Sequence, residues 1–156
     1  MSRLNIDDAM DRLCAQLRAL PFDENEKGFR KVENRFKDRS ELAVGDYPAA
    51  MAGFESIEIG PNDQIGEVLL LCLNRGARTS ESLMQIRRAV AELLLNDFNQ
   101  EDLQVSEIES GDIFPGSTEP AESGALPDGA YIASWLRIEK PVSGLFFRFV
   151  ITISSE

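Results

Sequence analysis

Carboxylates are the side chains that this sequence supplies most freely for chemistry. Asp7 with Asp8, and Glu107 with Glu109, could be offered as paired carboxylates for acid and base catalysis or as oxygen ligands for a hard cation. Such spacings are common by chance, and no Asp-x-Asp-x-Asp-Gly calcium loop accompanies them. The acids also cluster in segments that read as loops, which hold nothing at a fixed catalytic separation. The complementary reagents are missing. There is no histidine, which removes the commonest base near neutral pH, the histidine-based triads and every histidine-containing metal site. Two cysteines cannot make an all-cysteine zinc site, and Cys14 and Cys72, each inside an apolar stretch, read as buried free thiols of a reducing compartment. Neither Gly-x-Gly-x-x-Gly nor Gly-x-x-x-x-Gly-Lys-Ser/Thr occurs, so no phosphate-cradling loop is expected. The reading is a protein that is not an enzyme and needs no metal or cofactor.

Charge narrows the field further. Lys and Arg number 16 against 27 Asp and Glu, a net −11 that argues against a domain gripping duplex phosphates. The charge is uneven. Glu101 to Ala130 holds eight acids and no Lys or Arg, whereas Lys27 to Arg39 holds six basic residues against Glu33 and Asp38. Either run can be a solvated face. Tyr131, Trp135, Phe146, Phe147 and Phe149 could form a base-stacking platform, but with only Arg137 and Arg148 nearby, core packing is the expectation. Arg87 and Arg88 lie off the apolar stripe of their helix and are expected on a solvated face, or paired with acids of another copy.

Those groups need elements to hold them, and 156 residues suffice for one domain over 1–156 with a real core. Ile6, Met10, Leu13, Leu17 and Leu20 make one stripe, Asn5 is the expected cap, and Pro21 ends that helix. A short edge strand is expected within Phe22 to Ser40, where Lys31 to Asp38 alternate weakly, and another strand over Ala50 to Ile59. Gly60-Pro61-Asn62-Asp63 then makes a turn between antiparallel strands. Glu67 to Asn74 reads as a central strand buried on both faces, feeding a helix over Ser80 to Asn96 with Leu83, Ile86, Val90, Leu93 and Leu94 inward. A short strand over Leu103 to Ile108 is followed by a flexible acidic loop at about 109–130, rich in Gly and Pro. Strands over Tyr131 to Ile138 and Leu145 to Ser154 close the chain. The predicted class is α+β, a mixed, mainly antiparallel sheet with two main helices packed on it. No apolar signal core or membrane-length run is present, which points to a soluble cytoplasmic chain.

The opening amphipathic helix, the Tyr47-Pro48-Ala49 step, the Glu67 to Asn74 strand feeding the Ser80 to Asn96 helix, and the closing Phe/Ile strand together resemble the tail-terminator (tail-completion) proteins of long-tailed bacteriophages, the minor tail protein U type. The chain departs from that pattern in its long acidic loop and in Tyr47, where Leu is expected. The resemblance implies a structural protein forming a homohexameric ring that caps the tail tube, stops its elongation and offers a surface to the head-neck protein. DNA would be passing cargo only, no membrane would be involved, and the location would be the virion tail after assembly in the host cytoplasm. It implies no catalytic residues. In such a ring Asp112, Glu119 and Glu122 would suit the lumen, because acids repel sliding phosphates, and Arg87, Arg88 and the basic 27–39 segment would suit contacts. The alternative is a small acidic cytoplasmic interaction protein, an immunity protein or DNA mimic, acting as a monomer.

Overall fold

Asn5 starts the fold. Its side chain accepts the Asp8 amide at 2.8 Å while the Asp8 carboxylate accepts the Asn5 amide at 3.3 Å, a reciprocal cap that opens helix α1, Ile6–Ala19. In this computed structural model the described residues are 5–22, 28–37, 39–76, 79–113, 128–138 and 142–154. The remaining elements are β1 (Lys31–Glu33), β2 (Ala49–Ile59), β3 (Asp63–Arg75), α2 (Thr79–Glu92), β4 (Leu103–Ile113), α3 (Asp128–Trp135) and β5 (Val142–Ser154). The five strands form one sheet in the order β1-β2-β3-β5-β4, antiparallel except for the β1–β2 pair. The class is α+β.

Period-2 patterning assigns the two faces of the sheet. Val68, Leu70 and Cys72 of β3 face one cluster, which also takes Phe147, Phe149, Ile151 and Ile153 of β5 and is covered by α1 and by α2 through Ile86 and Val90. Leu69, Leu71 and Leu73 face the other, beneath Ile132, Ala133, Leu136 and Ile138 at α3 and Tyr47, Phe36 and Leu42 before β2. Every residue from Val68 to Leu73 is buried, as its unbroken apolar run requires. The β2–β3 hairpin turns where expected, with the Gly60 amide donating to the Asp63 carbonyl at 2.8 Å. Helix α2 gives way after Glu92 to a π-turn, Leu93–Asp97, closed by the Phe98 amide on the Leu93 carbonyl at 2.8 Å.

Two expectations are corrected. Tyr131 to Ile138 is not a strand, because Asp128–Trp135 is helical. Ile132, Leu136 and Ile138 satisfy an alternating pattern as well as a helical one, and eight residues are too few for the period to decide. Consequently Tyr131 and Trp135 lie on the outer side of α3, 62% and 50% exposed, instead of in the core that takes Phe146, Phe147 and Phe149. Trp135 keeps an edge contact with Phe36, ring centres 5.4 Å apart. The acidic stretch is also more ordered at its start than its composition suggests. Residues 109–113 continue β4, where Ile113 is buried and Gly111 lies so close over the Phe146 ring that a Cβ would sit 2.6 Å from it. Glu107, Glu109 and Asp112 are therefore on a strand and not in a loop. The short edge strand expected in this part of the chain is present at Lys31–Glu33 and runs parallel to β2.

Candidate functional site

Among the described residues, the second face of the sheet is only half covered. Helix α3 and the segment around Phe36, Leu42 and Tyr47 lie over the end that carries Ala49, Met51, Leu69, Leu71, Leu73, Val142 and Phe146. Towards the β2–β3 turn the strands run on, and no helix of the described residues lies over that face. Register puts Glu58 beside Ile65, Ile65 beside Thr152, Glu67 beside Val150 and Glu109 beside Arg148, so these side chains share the uncovered surface. Glu55, Glu58, Glu67 and Glu109 are exposed, and Asp63 is half-buried on the same face. Among the described residues one cation, Arg148, answers them. Arg148 donates through Nε to Glu55 Oε1 at 2.7 Å and through a terminal nitrogen to Glu55 Oε2 at 3.3 Å, with its guanidinium 5.8 Å from the centre of the Phe146 ring.

Two bulges shape this surface. Between Phe54 and Ser56 the pairing of β2 gains one residue over β3, and the inserted Glu55 is the partner of Arg148. Between Ser106 and Glu109 strand β4 gains one residue over β5, with Glu107 in the left-handed region at φ 54°. Glu67, Glu107, Ile108, Glu109 and Arg148 consequently line one shallow hollow. Its chemistry is that of a carboxylate-rich platform.

The residues singled out from the sequence fall elsewhere. Asp112 pairs in register with Leu145, on the α1/α2 side of the sheet, and its carboxylate accepts a hydrogen bond from Arg87 of α2. The two groups assigned to lumen and interface thus meet within one chain and tie α2 to the edge strand. Arg88 is exposed on α2 beside them. Glu119 and Glu122 lie outside the described residues, as does most of the expected loop. What the sequence reading missed is the platform. Glu55, Glu58, Glu67 and Glu109 come from three strands, and only the register joins them.

Elsewhere the titratable groups serve the fold. Arg12 of α1 grips Asp102 with two hydrogen bonds, 3.0 and 2.8 Å, and that contact holds the Asp102 carboxyl below its ordinary range. The Lys37 ammonium, 3.0 Å from Glu33, does the same to Glu33. Burial pushes the thiols of Cys14 and Cys72 up, and both are free. Among the described residues no three His, Cys, Asp or Glu side chains are grouped so that they could hold a metal ion. No helix among them is long and apolar enough to cross a membrane. No protein-family model matches the chain, and no curated protein matches it in sequence.

Proposed function

We propose that this chain is a structural subunit of the tail-terminator kind, which assembles into a closed ring at the end of a phage tail tube. The observation that carries the reading is the half-open, acidic sheet face. A monomer leaves Ile65 and Val150 half-exposed among five carboxylates, with Arg148 the one cation that the described residues place there. Cyclic closure needs two different patches meeting on neighbouring subunits. The edge of β2 beyond Met51, to which β1 does not extend, and the charged, bulged edge of β4 are two such unlike surfaces. An acidic face turned to a lumen lets duplex DNA slide, since carboxylates repel phosphates and form no ion pairs with them. Glu58, Glu67 and Glu109 take that role here in place of Asp112, which is engaged by Arg87 as Glu55 is by Arg148. In this reading the ring, of six copies, meets the tube on one side and a head-neck protein on the other, after assembly in the host cytoplasm.

The same acidic face favours a second reading, a monomeric interaction protein that receives a basic partner. Solution mass separates the two. Light scattering across a concentration series, with electron microscopy in the presence of tail tube, is expected to give closed rings. A monomer under all those conditions overturns the ring and leaves the monomeric reading standing.

A further inference from the structure

At the opposite end of the sheet, on the face covered by α3, a cleft of ≈ 390 Å³ opens between the last residue of β3, the turn after α3 and the segment that leads into β2. Arg75 and Arg137 line it together with Ser40 and Tyr47, and Leu42, Val44 and Val142 supply apolar wall. The sheet fixes one side, because Arg75 and Val142 are register partners. The helix fixes the other. Arg137 follows α3 with its amide on the Ser134 carbonyl at 3.2 Å, and the next amide, of Ile138, reaches the Ala133 carbonyl at 2.8 Å. This is the double hydrogen-bonded end in which the residue after the cap turns left-handed, and Arg137 does so at φ 58°. Glycine occupies that position without strain, and an L-residue does not. Strain kept at one residue calls for something that the residue does.

The charge of the cleft supplies that role. Arg12, Arg87 and Arg148 are each spent on a carboxylate of the same chain. The guanidiniums of Arg75 and Arg137 have no hydrogen-bond or ion-pair partner among the described residues, although acids outnumber bases 27 to 16 in this sequence. Two forked cations on one cleft match a dianion with several acceptor oxygens, as a phosphate monoester carries near neutral pH. A single carboxylate would leave one of them uncompensated. We propose that this cleft binds a small phosphate monoester, its oxygens held by Arg75 and Arg137 and its apolar body seated against Leu42 and Val142. The inference is independent of ring assembly and uses none of the acidic platform.

The test is calorimetric titration of the full chain with phenyl phosphate, inorganic phosphate and benzoate, for the native sequence and for Arg75→Gln, Arg137→Gly and Arg88→Gln. Saturable binding of phenyl phosphate is expected, about tenfold tighter than inorganic phosphate because the ring buries apolar surface. It should fall at least tenfold in Arg75→Gln and Arg137→Gly and be unchanged in Arg88→Gln. Arg137→Gly should also melt roughly 2–4 °C higher, since it relieves the left-handed strain. A variant that is more stable yet cannot bind separates a ligand role from a structural one. Absence of saturable binding, loss in Arg88→Gln to the same extent, tighter binding of benzoate, or a lower melting point in Arg137→Gly each overturns the proposal.

Discussion

Replacing Glu107 with glycine should make this protein more stable. Glu107 stands at φ 54° in the bulge that gives β4 one residue more than β5. An L-residue in the left-handed region costs about 1–2 kcal/mol, against which glycine loses about 0.5–1 kcal/mol through the greater freedom of the unfolded chain. The difference leaves a net stabilisation of about 0.5–1 kcal/mol. Loss of a carboxylate from the hollow shared with Glu67 and Glu109 acts in the same direction, weakly, because these groups face solvent. Urea unfolding followed by circular dichroism is a suitable assay. With a denaturant slope of about 2 kcal/mol/M, the midpoint should rise by about 0.3–0.5 M. Glu107→Ala is the control, since it removes the same charge and keeps the Cβ that creates the strain. If alanine stabilises as much as glycine, charge and not backbone conformation is the cause, and if glycine lowers the midpoint the account of the bulge is wrong.

Gly144→Ala should be severe, because the added Cβ would lie 2.4 Å from the Cys72 carbonyl oxygen and 2.7 Å from a Leu73 methyl, in a strand paired on both sides. We expect a loss of at least about 2 kcal/mol in thermal unfolding, whereas Gly45→Ala, with no atom within 4 Å of the new Cβ, stays within about 0.5 kcal/mol. Neither Cys14 nor Cys72 should react with an aromatic disulfide reagent in the folded protein at pH 7, since burial suppresses both thiolates, and both should react in urea. Fast labelling of the folded chain would contradict this. The Asp102 carboxyl titrates lower folded than unfolded, so its contact with Arg12 contributes fully above the unfolded value near pH ~4 and fades as pH falls through the folded one. Arg12→Ala should therefore cost less than about 1 kcal/mol at pH 7, and the gap to the native protein should narrow below about pH 4. An equal gap at both ends of that range would remove the pair from the account.

What could be read from the sequence was what neighbouring residues decide among themselves. Asn5 and Asp8 make their cap within one turn, Gly60 and Asp63 close their hairpin locally, and Val68 to Leu73 announce a twice-buried strand by carrying no polar residue at all. The failures have physical causes. Over Tyr131 to Ile138 the two periods coincide, and the covering of Leu69 and Leu71 by Ile132 and Leu136 decides for helix, which only tertiary contact can do. Gly111 suggests a loop to the reader of composition, yet it is needed so that strand backbone can lie on the Phe146 ring. The Arg87–Asp112 pair and the acidic platform join residues that lie far apart in the chain, and nothing in the local pattern of either partner points to the other.

The position of β5 has a consequence for how the molecule comes into being. Helix α1 and the β2–β3 hairpin are assembled from early sequence, but β3 and β4 never touch as neighbours, because β5 is wedged between them. Until residues 142–154 arrive, one side of β3 has its backbone groups unpaired and β4 has no strand to join. The sheet therefore closes in a late step that bridges separations such as Asp63 with Ser154, and chains dominated by such distant pairings fold on the order of milliseconds to seconds. During synthesis the waiting edge of β3, lined by Val68 to Leu73, is an adhesive surface that a chaperone would shield. Destabilising β5 should thus lower the yield of soluble protein well before it lowers the stability of the molecules that succeed in folding.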